Sequence, residues 1–77
     1  MNFVVTGGAG FVGSYLVKYL VKLGHQVMVI DNLHNGKLEN LKQVLEKIEF
    51  CKVDIRDYDK MKNLLKNADG VFHEAAL

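Results

Sequence analysis

Short apolar runs alternate with stretches of helical periodicity along the chain. The runs Asn2–Thr6 and Gln26–Ile30 are mostly apolar, which is typical of strands buried within a parallel sheet. A third strand is predicted at Ile48–Val53, where partial alternation of apolar and polar positions suits a sheet edge. A fourth is predicted at Val71–His73. Three segments between these strands have the spacing of helices.

The first predicted helix, Phe11–Lys22, precedes a typical terminating glycine at Gly24. Few of its positions are polar, so it requires cover on more than one side. A second helix is predicted over 38–48, where leucine and isoleucine recur at three- and four-residue steps. A third runs through Lys66 with Asp57 as its N-cap.

This alternation predicts an α/β protein with right-handed crossovers between parallel strands. The expected architecture is half of a doubly wound Rossmann fold. It has a parallel four-stranded sheet in the order 3-2-1-4 and three helices.

Composition narrows the possible functions. The 77 residues suit one domain or part of one, and 10 basic residues nearly balance 9 acidic ones, without the basic patch that nucleic-acid binding requires. The longest apolar run, Val27–Ile30, is too short to cross a bilayer. The single cysteine, Cys51, cannot form an internal disulfide and is too few for a zinc site. We expect a cytoplasmic protein.

A glycine cluster separates the first strand from the first helix. It fits G-x-G-x-x-G through Gly8, Gly10 and Gly13, and also G-x-x-G-x-x-G when Gly7 replaces Gly8. One glycine permits a sharp turn, another lets pyrophosphate approach the backbone, and the last allows close packing of helix and strand. The helix N-terminus offers free N–H groups to the phosphates. The strand before and the helix after favour a dinucleotide site over a turn without a ligand.

Asp31 ends the second strand, 18 residues after Gly13. A carboxylate at this distance accepts hydrogen bonds from both hydroxyls of an adenosine ribose and repels a 2′-phosphate. The sequence therefore favours NAD over NADP, against the alternative that Asp31 is only a solvated acid at a strand end.

Four motifs, TGGAGFVGS, DNL with NG, VDIRD and VFHEAAL, follow one another along the chain. Together they closely resemble the N-terminal segment of the extended short-chain dehydrogenase/reductase family. The resemblance is greatest to its NAD-dependent nucleotide-sugar epimerases and dehydratases, above all the UDP-glucose 4-epimerase group. The resemblance covers residues 2–77 and implies that 1–77 is the N-terminal part of a dinucleotide-binding domain.

The resemblance also implies a role for each matching position. Phe11 and Val12 would offer backbone N–H groups to the phosphates, and Asp54 would bind the exocyclic amine of adenine. The full set of implied NAD-binding residues is Gly7, Gly10, Phe11, Val12, Gly13, Asp31, Asn32, Asn35, Gly36, Asp54, Ile55, Ala75 and Ala76.

The catalytic Ser/Thr and Tyr-x-x-x-Lys of this family lie beyond the fourth strand, so the chain is expected to be a truncation that is inactive alone. Nucleotide sugar would bind only in the full-length parent. Tyr58 and Lys62 match the catalytic spacing, but they fall in the third helix, where a solvated helix face is the better interpretation. His73 is interpreted as a satisfied core histidine rather than a base.

Two alternatives remain open. The chain could be a stand-alone, non-catalytic nucleotide-binding module, or part of an NADP-dependent reductase of the same superfamily. In the isolated chain the fourth strand would lack the fifth strand that normally pairs with its outer edge, and we expect self-association there or marginal stability.

Overall fold

The computed structural model describes residues 1–75 and contains four parallel strands with helices on both faces. The elements in chain order are β1 (Asn2–Thr6), α1 (Phe11–Lys22), β2 (Gln26–Ile30), two 3₁₀ turns (Leu38–Leu41 and Leu45–Lys47), β3 (Ile48–Cys51), α2 (Tyr58–Leu65) and β4 (Gly70–His73). Of the cofactor positions implied by the sequence, only Ala76 lies outside the described residues.

The strands pair in the order β3-β2-β1-β4, all in parallel, so the predicted order 3-2-1-4 is confirmed. At the carboxyl edge of the sheet, Thr6 lies beside Ile30 on one side and His73 on the other. Loops that leave neighbouring strands therefore meet at this edge, which is where ligands bind in doubly wound folds.

Apolar side chains fill both faces of the sheet. On one face Val5 and Val29 pack with Val17 of α1 and Leu41 of the first 3₁₀ turn. On the other face Val4 and Ile30 pack with Met61 of α2, the inward position that its spacing predicted. Crossovers on opposite faces make the sheet doubly wound.

The predicted helix over 38–48 is wrong in type. The segment forms two 3₁₀ turns, with bonds from Asn40 N to Lys37 O and from Lys47 N to Val44 O, and a connecting turn in which Val44 N donates to Leu41 O. Leu41 and Val44, at the two ends of the connecting turn, are both buried. Packing of this pair against the sheet outweighs the helix propensity of the segment.

Two other features differ in extent from the prediction. β3 ends at Cys51 rather than Val53, where its last partner in the register is Ile30 at the end of β2. Asp31 N still donates to Cys51 O, and Val53 N to Asp31 O, just beyond the paired strands. His73 is exposed rather than in the core, since β4 is the last strand of the sheet in residues 1–75. Its ring is nonetheless satisfied, with Nδ1 2.8 Å from Thr6 Oγ1.

α1 has the uncovered apolar surface that its composition predicted. Phe11, Val12, Tyr15, Tyr19 and Leu23 are all exposed. Neither helix in residues 1–75 is long and apolar enough to cross a membrane.

Candidate nucleotide-binding cleft

A cleft of about 580 Å³ opens at the carboxyl edge of the sheet. It lies among the glycine loop, the loops that follow β2 and β3, and the end of β4. Its lining residues are Gly7, Gly10, Ile30, Asp31, Asn32, His34, Asn35, Gly36, Val53, Asp54, Ile55, Arg56, Glu74 and Ala75.

Different structural constraints exclude a side chain at each of the four glycines in and after the loop. Gly7 has φ +71°, and a Cβ there would lie 2.7 Å from the Ala75 nitrogen. A Cβ on Gly8 would lie 2.7 Å from a methyl group of Val29, and one on Gly13 would clash with the Gly7 carbonyl oxygen. At Gly10 a Cβ would meet only the Gly7 oxygen, at 3.3 Å, while the residue lines the cleft. Gly8 therefore serves packing, and Gly7 and Gly10 are the loop glycines that face the cleft.

Helix α1 begins without a side-chain cap. Gly10 is the N-cap, with an extended backbone and no side chain to accept a hydrogen bond, and no acid lies in the first turn. Ser14 N donates to Gly10 O at 2.9 Å, so the regular helical bonding starts at Ser14. No protein side chain at the cap therefore competes for the N–H groups of the first turn, where the positive end of the helix dipole favours an anion.

Asp31 is buried at the end of β2, with 7% of its surface exposed. Its Oδ2 accepts a hydrogen bond from Ala9 N at 3.0 Å, and its Oδ1 accepts one from Leu33 N at 2.7 Å. Because a carboxylate oxygen can accept more than one hydrogen bond, both oxygens keep capacity toward the cleft. Two backbone donors thus fix the orientation of this carboxylate.

The loop after β2 turns sharply beside Asp31. Leu33 has φ +62°, a left-handed conformation that is uncommon for a non-glycine residue. His34 N donates to Asn32 Oδ1 at 2.9 Å, which forms a second local turn. At Gly36 a Cβ would lie 2.8 Å from Asp31 Oδ2, so only glycine lets this loop pass so close to the carboxylate.

The loop after β3 contributes an ion pair to the cleft. Arg56 donates through Nε to Asp54 Oδ1 at 3.0 Å and through Nη2 to Asp54 Oδ2 at 2.6 Å. The hydrogen bonds from Arg56 hold the pKa of the Asp54 carboxyl far below its usual range. The backbone N–H of Arg56 also donates to Asp54 Oδ1, at 2.9 Å. Asp54 is therefore an ionised acceptor whose Oδ1 already has two partners and whose Oδ2 has one.

The structure brings most of the predicted site residues together. Those that line the cleft are Gly7, Gly10, Asp31, Asn32, Asn35, Gly36, Asp54, Ile55 and Ala75. Phe11, Val12 and Gly13 do not line it; the first two are exposed in the first turn of α1, and Gly13 is buried against Gly7.

The sequence reasoning missed five lining residues, Ile30, His34, Val53, Arg56 and Glu74. Ile30 and Val53 immediately precede the predicted site residues Asp31 and Asp54, and Arg56 follows Asp54 by two residues. Their closeness in sequence to these two acids is the feature from which they could have been predicted.

The residues discounted as catalytic lie away from the cleft. Tyr58 is 82% exposed at the start of α2 and does not line it, nor does Lys62. Burial and the nearby Glu49 raise the pKa of the Cys51 thiol, which suits a packed side chain rather than a nucleophile.

A family model of NAD-dependent epimerases and dehydratases matches residues 3–77. The chain belongs to the NAD-dependent epimerase/dehydratase family. The match covers every element of the fold, and the fold and glycine loop above are those that membership predicts.

Curated relatives of this family differ in their reactions. A UDP-N-acetyl-alpha-D-glucosaminuronate decarboxylase of Bacillus cytotoxicus is 40% identical over 96% of the chain and 23% of its own length. A UDP-glucose 4-epimerase of Neisseria meningitidis is 42% identical over 99% of the chain and 24% of its own length. Cinnamoyl-CoA reductase 1 of Petunia hybrida is 38% identical over 94% of the chain and 23% of its own length. The chain thus spans about a quarter of the length of each of these relatives.

Solved epimerase structures superpose closely on the chain. The UDP-glucose 4-epimerase of Thermotoga maritima, solved with UDP-glucose, has a TM-score of 0.91 and 42% identity over 99% of this chain and 24% of its own. The Thermus thermophilus UDP-glucose 4-epimerase, solved with NAD, has a TM-score of 0.85 and 40% identity over 100% of this chain and 24% of its own.

Proposed function

We propose that the chain binds NAD in the cleft at the carboxyl edge of the sheet. The observation that carries this proposal is the buried Asp31 carboxylate, which Ala9 N and Leu33 N hold beside the glycine loop. In this position its oxygens accept the two hydroxyls of the adenosine ribose, assisted by Asn32. Membership of an NAD-dependent family supports the choice of cofactor.

The pyrophosphate binds over Gly10, at the start of α1. The absence of a Cβ at Gly10 leaves room beside the backbone, and the N–H groups of Phe11 and Val12 are the donors. Gly13 serves this site indirectly, because it lets α1 pack closely against the Gly7 turn. Asn35 and Gly36 border the phosphate side of the ribose.

The adenine lies between the loops that follow β2 and β3. Ile55 supplies an apolar surface, and Asp54, which is ionised and paired with Arg56, accepts the exocyclic amine. At the opposite end of the cleft Ala75 lies close to Gly7, and its small side chain leaves room for the nicotinamide ribose. The role of Ala76 in the same contact is part of this proposal.

In its biological context, residues 1–77 would be the N-terminal part of the dinucleotide-binding domain of a nucleotide-sugar epimerase or dehydratase resembling UDP-glucose 4-epimerase. Bound NAD supplies reversible hydride transfer in such enzymes. This chain's residues bind and orient the cofactor, and the proposal assigns the catalytic Ser/Thr, Tyr and Lys and the sugar pocket to a longer parent. The single cysteine, in a protein that handles NAD, supports a cytoplasmic location.

A reductase of the same superfamily is the second candidate. The similarity to cinnamoyl-CoA reductase 1 favours it, because that relative matches the same segment at nearly the same identity. Asp31 discriminates between cofactors rather than between reactions: a carboxylate at the ribose hydroxyls disfavours NADP.

Isothermal titration of the chain with NAD and NADP tests the cofactor assignment. We expect NAD to bind more tightly than NADP. Asp31→Ala should weaken NAD by about 1–3 kcal/mol, because charge-assisted hydrogen bonds are lost. Asp59→Ala, which removes an exposed acid of α2, is the matched control and should leave the affinity unchanged. Equal NAD affinity in all three proteins would refute the site.

A further inference from the structure

Three hydrogen bonds converge on Ala9, in the middle of the glycine loop. Its N–H donates to Asp31 Oδ2, as described above. Its carbonyl oxygen accepts two bonds, from Lys37 N at 3.0 Å and from Asn40 Nδ2 at 2.8 Å. Ala9 is fully buried; its bond to Asp31 is buried and the one from Asn40 is part-buried.

The bond from Asn40 is the only one of the three made by a neutral side chain, and it crosses 31 residues of sequence. Asn40 lies in the first 3₁₀ turn, where its own N–H donates to Lys37 O at 3.0 Å. The turn therefore presents a backbone donor at Lys37 and a side-chain donor at Asn40 to the same carbonyl. Both lone pairs of the Ala9 oxygen are then used.

The peptide group fixed in this way leads directly into helix α1. The Ala9 carbonyl and the Gly10 N–H belong to one planar peptide, and Gly10 N donates to Gly7 O at 3.1 Å. Both ends of the plane are thus held before the chain reaches Phe11. The orientation of the N–H groups at the start of α1 depends on that plane.

We infer that Asn40 is a positioning residue for dinucleotide binding. By donating to the Ala9 carbonyl it holds the glycine loop in the conformation that receives a pyrophosphate. This inference rests on the proposed function, because it presumes that the pyrophosphate binds at the start of α1. Adenosine depends less on Asn40, since Leu33 N holds Asp31 independently.

The binding test compares ligands with and without a pyrophosphate. In Asn40→Leu, which keeps the size but not the donor, we expect about threefold to tenfold weaker binding of NAD and ADP-ribose, as for one lost hydrogen bond. Adenosine should change less than twofold. Gln43→Leu removes an exposed amide three residues further on and is the matched control, with no expected change. Equal weakening of adenosine and ADP-ribose would overturn the inference.

A pH series separates hydrogen-bond donation from general packing. In Asn40→Asp an ionised carboxylate would face the Ala9 carbonyl and repel it, whereas the protonated acid can donate to it. The ratio of wild-type to variant affinity for ADP-ribose should therefore fall as pH is lowered from 7 to 5. The neighbouring charged side chains, Asp31, Lys37 and Glu39, are the same in both proteins, so the ratio reports the change at residue 40. A ratio independent of pH would contradict the inference.

Amide hydrogen exchange of the free protein tests the same claim without a ligand. Asn40→Leu should exchange faster at Ala9 and Gly10, whose N–H groups are hydrogen-bonded in the loop, while β1 and β2 stay protected. Faster exchange confined to the glycine loop would support the role of Asn40 in holding this loop, whether or not the wild-type chain binds NAD. Failure of the wild-type chain to bind NAD would refute the proposed function instead. Unchanged exchange there would overturn the inference. If Asn40→Leu does not fold, Asn40→Asp at pH 5 and pH 7 provides the same comparison.

Discussion

Gly10 and Gly13 lie three residues apart but exclude side chains for different reasons. At Gly10 the space that a side chain would enter is the proposed ligand site, whereas at Gly13 it is occupied by the Gly7 backbone. The sequence motif marks both positions equally, since it records only the absence of side chains. The distinction required the packing of α1 on the loop.

Substitutions at Gly10 and Gly13 should therefore impair different properties, NAD binding at Gly10 and stability at Gly13. Gly10→Val should keep the fold but lose NAD binding, because its methyl groups project into the cleft. Gly13→Ala should lower thermal stability, because its Cβ meets backbone that cannot move aside cheaply. Circular dichroism melting and NAD titration of both variants measure this difference. Loss of stability in Gly10→Val with retained binding in the folded fraction would contradict the assignment.

The Asp54–Arg56 pair gives a prediction about pH. Because Arg56 depresses the pKa of Asp54 in the folded state, the pair contributes stability that is present above the ordinary aspartate pKa and is lost as pH falls through the lower folded value. In Arg56→Ala the backbone N–H of residue 56 still donates to Asp54 Oδ1, so the pKa of the carboxyl should rise toward the ordinary value of about 3.9 but stay below it. NMR titration of the Asp54 side-chain carbon measures the shift, and an unchanged pKa in the variant would disprove the pairing.

At the scale of elements, the sequence pattern predicted helix or strand correctly where the spacing of apolar residues matched the face that is buried. The two central strands and the two α-helices match the prediction closely, because each has an apolar face that suits its own period. The segment 38–48 did not, since its periodicity fits an α-helix while the docking of Leu41, Val44 and Asn40 requires a tighter turn. Tertiary contacts of this kind leave no mark in local sequence.

The sequence predicted part of the cleft lining but not the contacts that connect its loops. Residues at strand ends and in the glycine loop were predicted, because parallel topology alone brings them to one edge. Arg56 was missed because its place in the cleft follows from its pairing with Asp54. The three bonds to Ala9 were missed because two of their donors, at Lys37 and Asn40, lie in the segment whose structure was predicted incorrectly.

The start of α2 provides a test at the element scale. Asp57 Oδ1 accepts a hydrogen bond from Lys60 N at 3.4 Å, which makes it the N-cap that the sequence predicted. Asp57→Ala should lower the free energy of unfolding by about 0.5–1 kcal/mol, toward the low end for caps because the bond is long. Asp57→Asn preserves the acceptor and should lose less, as judged by urea denaturation. Equal losses in the two variants would show that the cap is not responsible.

For the molecule as a whole, β3 and β4 are the edge strands of the sheet that residues 1–75 form, and β4 is the more exposed of the two. Glu74 N donates to Thr6 O, and the register pairs Phe72 with Val5, so by alternation the N–H groups of Val71 and His73 point away from β1. Val71 and Phe72 are also exposed. An edge of this kind is a template for another strand.

We therefore expect the chain to self-associate through β4 as its concentration rises. Val71→Pro removes an outward N–H without breaking a bond to β1 and should shift sedimentation toward the monomer. Phe72→Pro removes a bond within the sheet and should lower stability instead. A wild-type chain that stays monomeric at high concentration, with β4 facing only water, would contradict this expectation.

The most direct test of the proposed function is an NMR titration of the ¹⁵N-labelled chain with NAD. We expect shift changes to concentrate on the glycine loop, the first turn of α1, Asp31, Asn32 and Ile55. A second cleft of about 570 Å³, lined by Phe3, His25 and Ala68 among others at the opposite edge of the sheet, serves as the internal control and should not respond. Shift changes at that opposite edge, or none at millimolar NAD, would contradict the assignment of the NAD site.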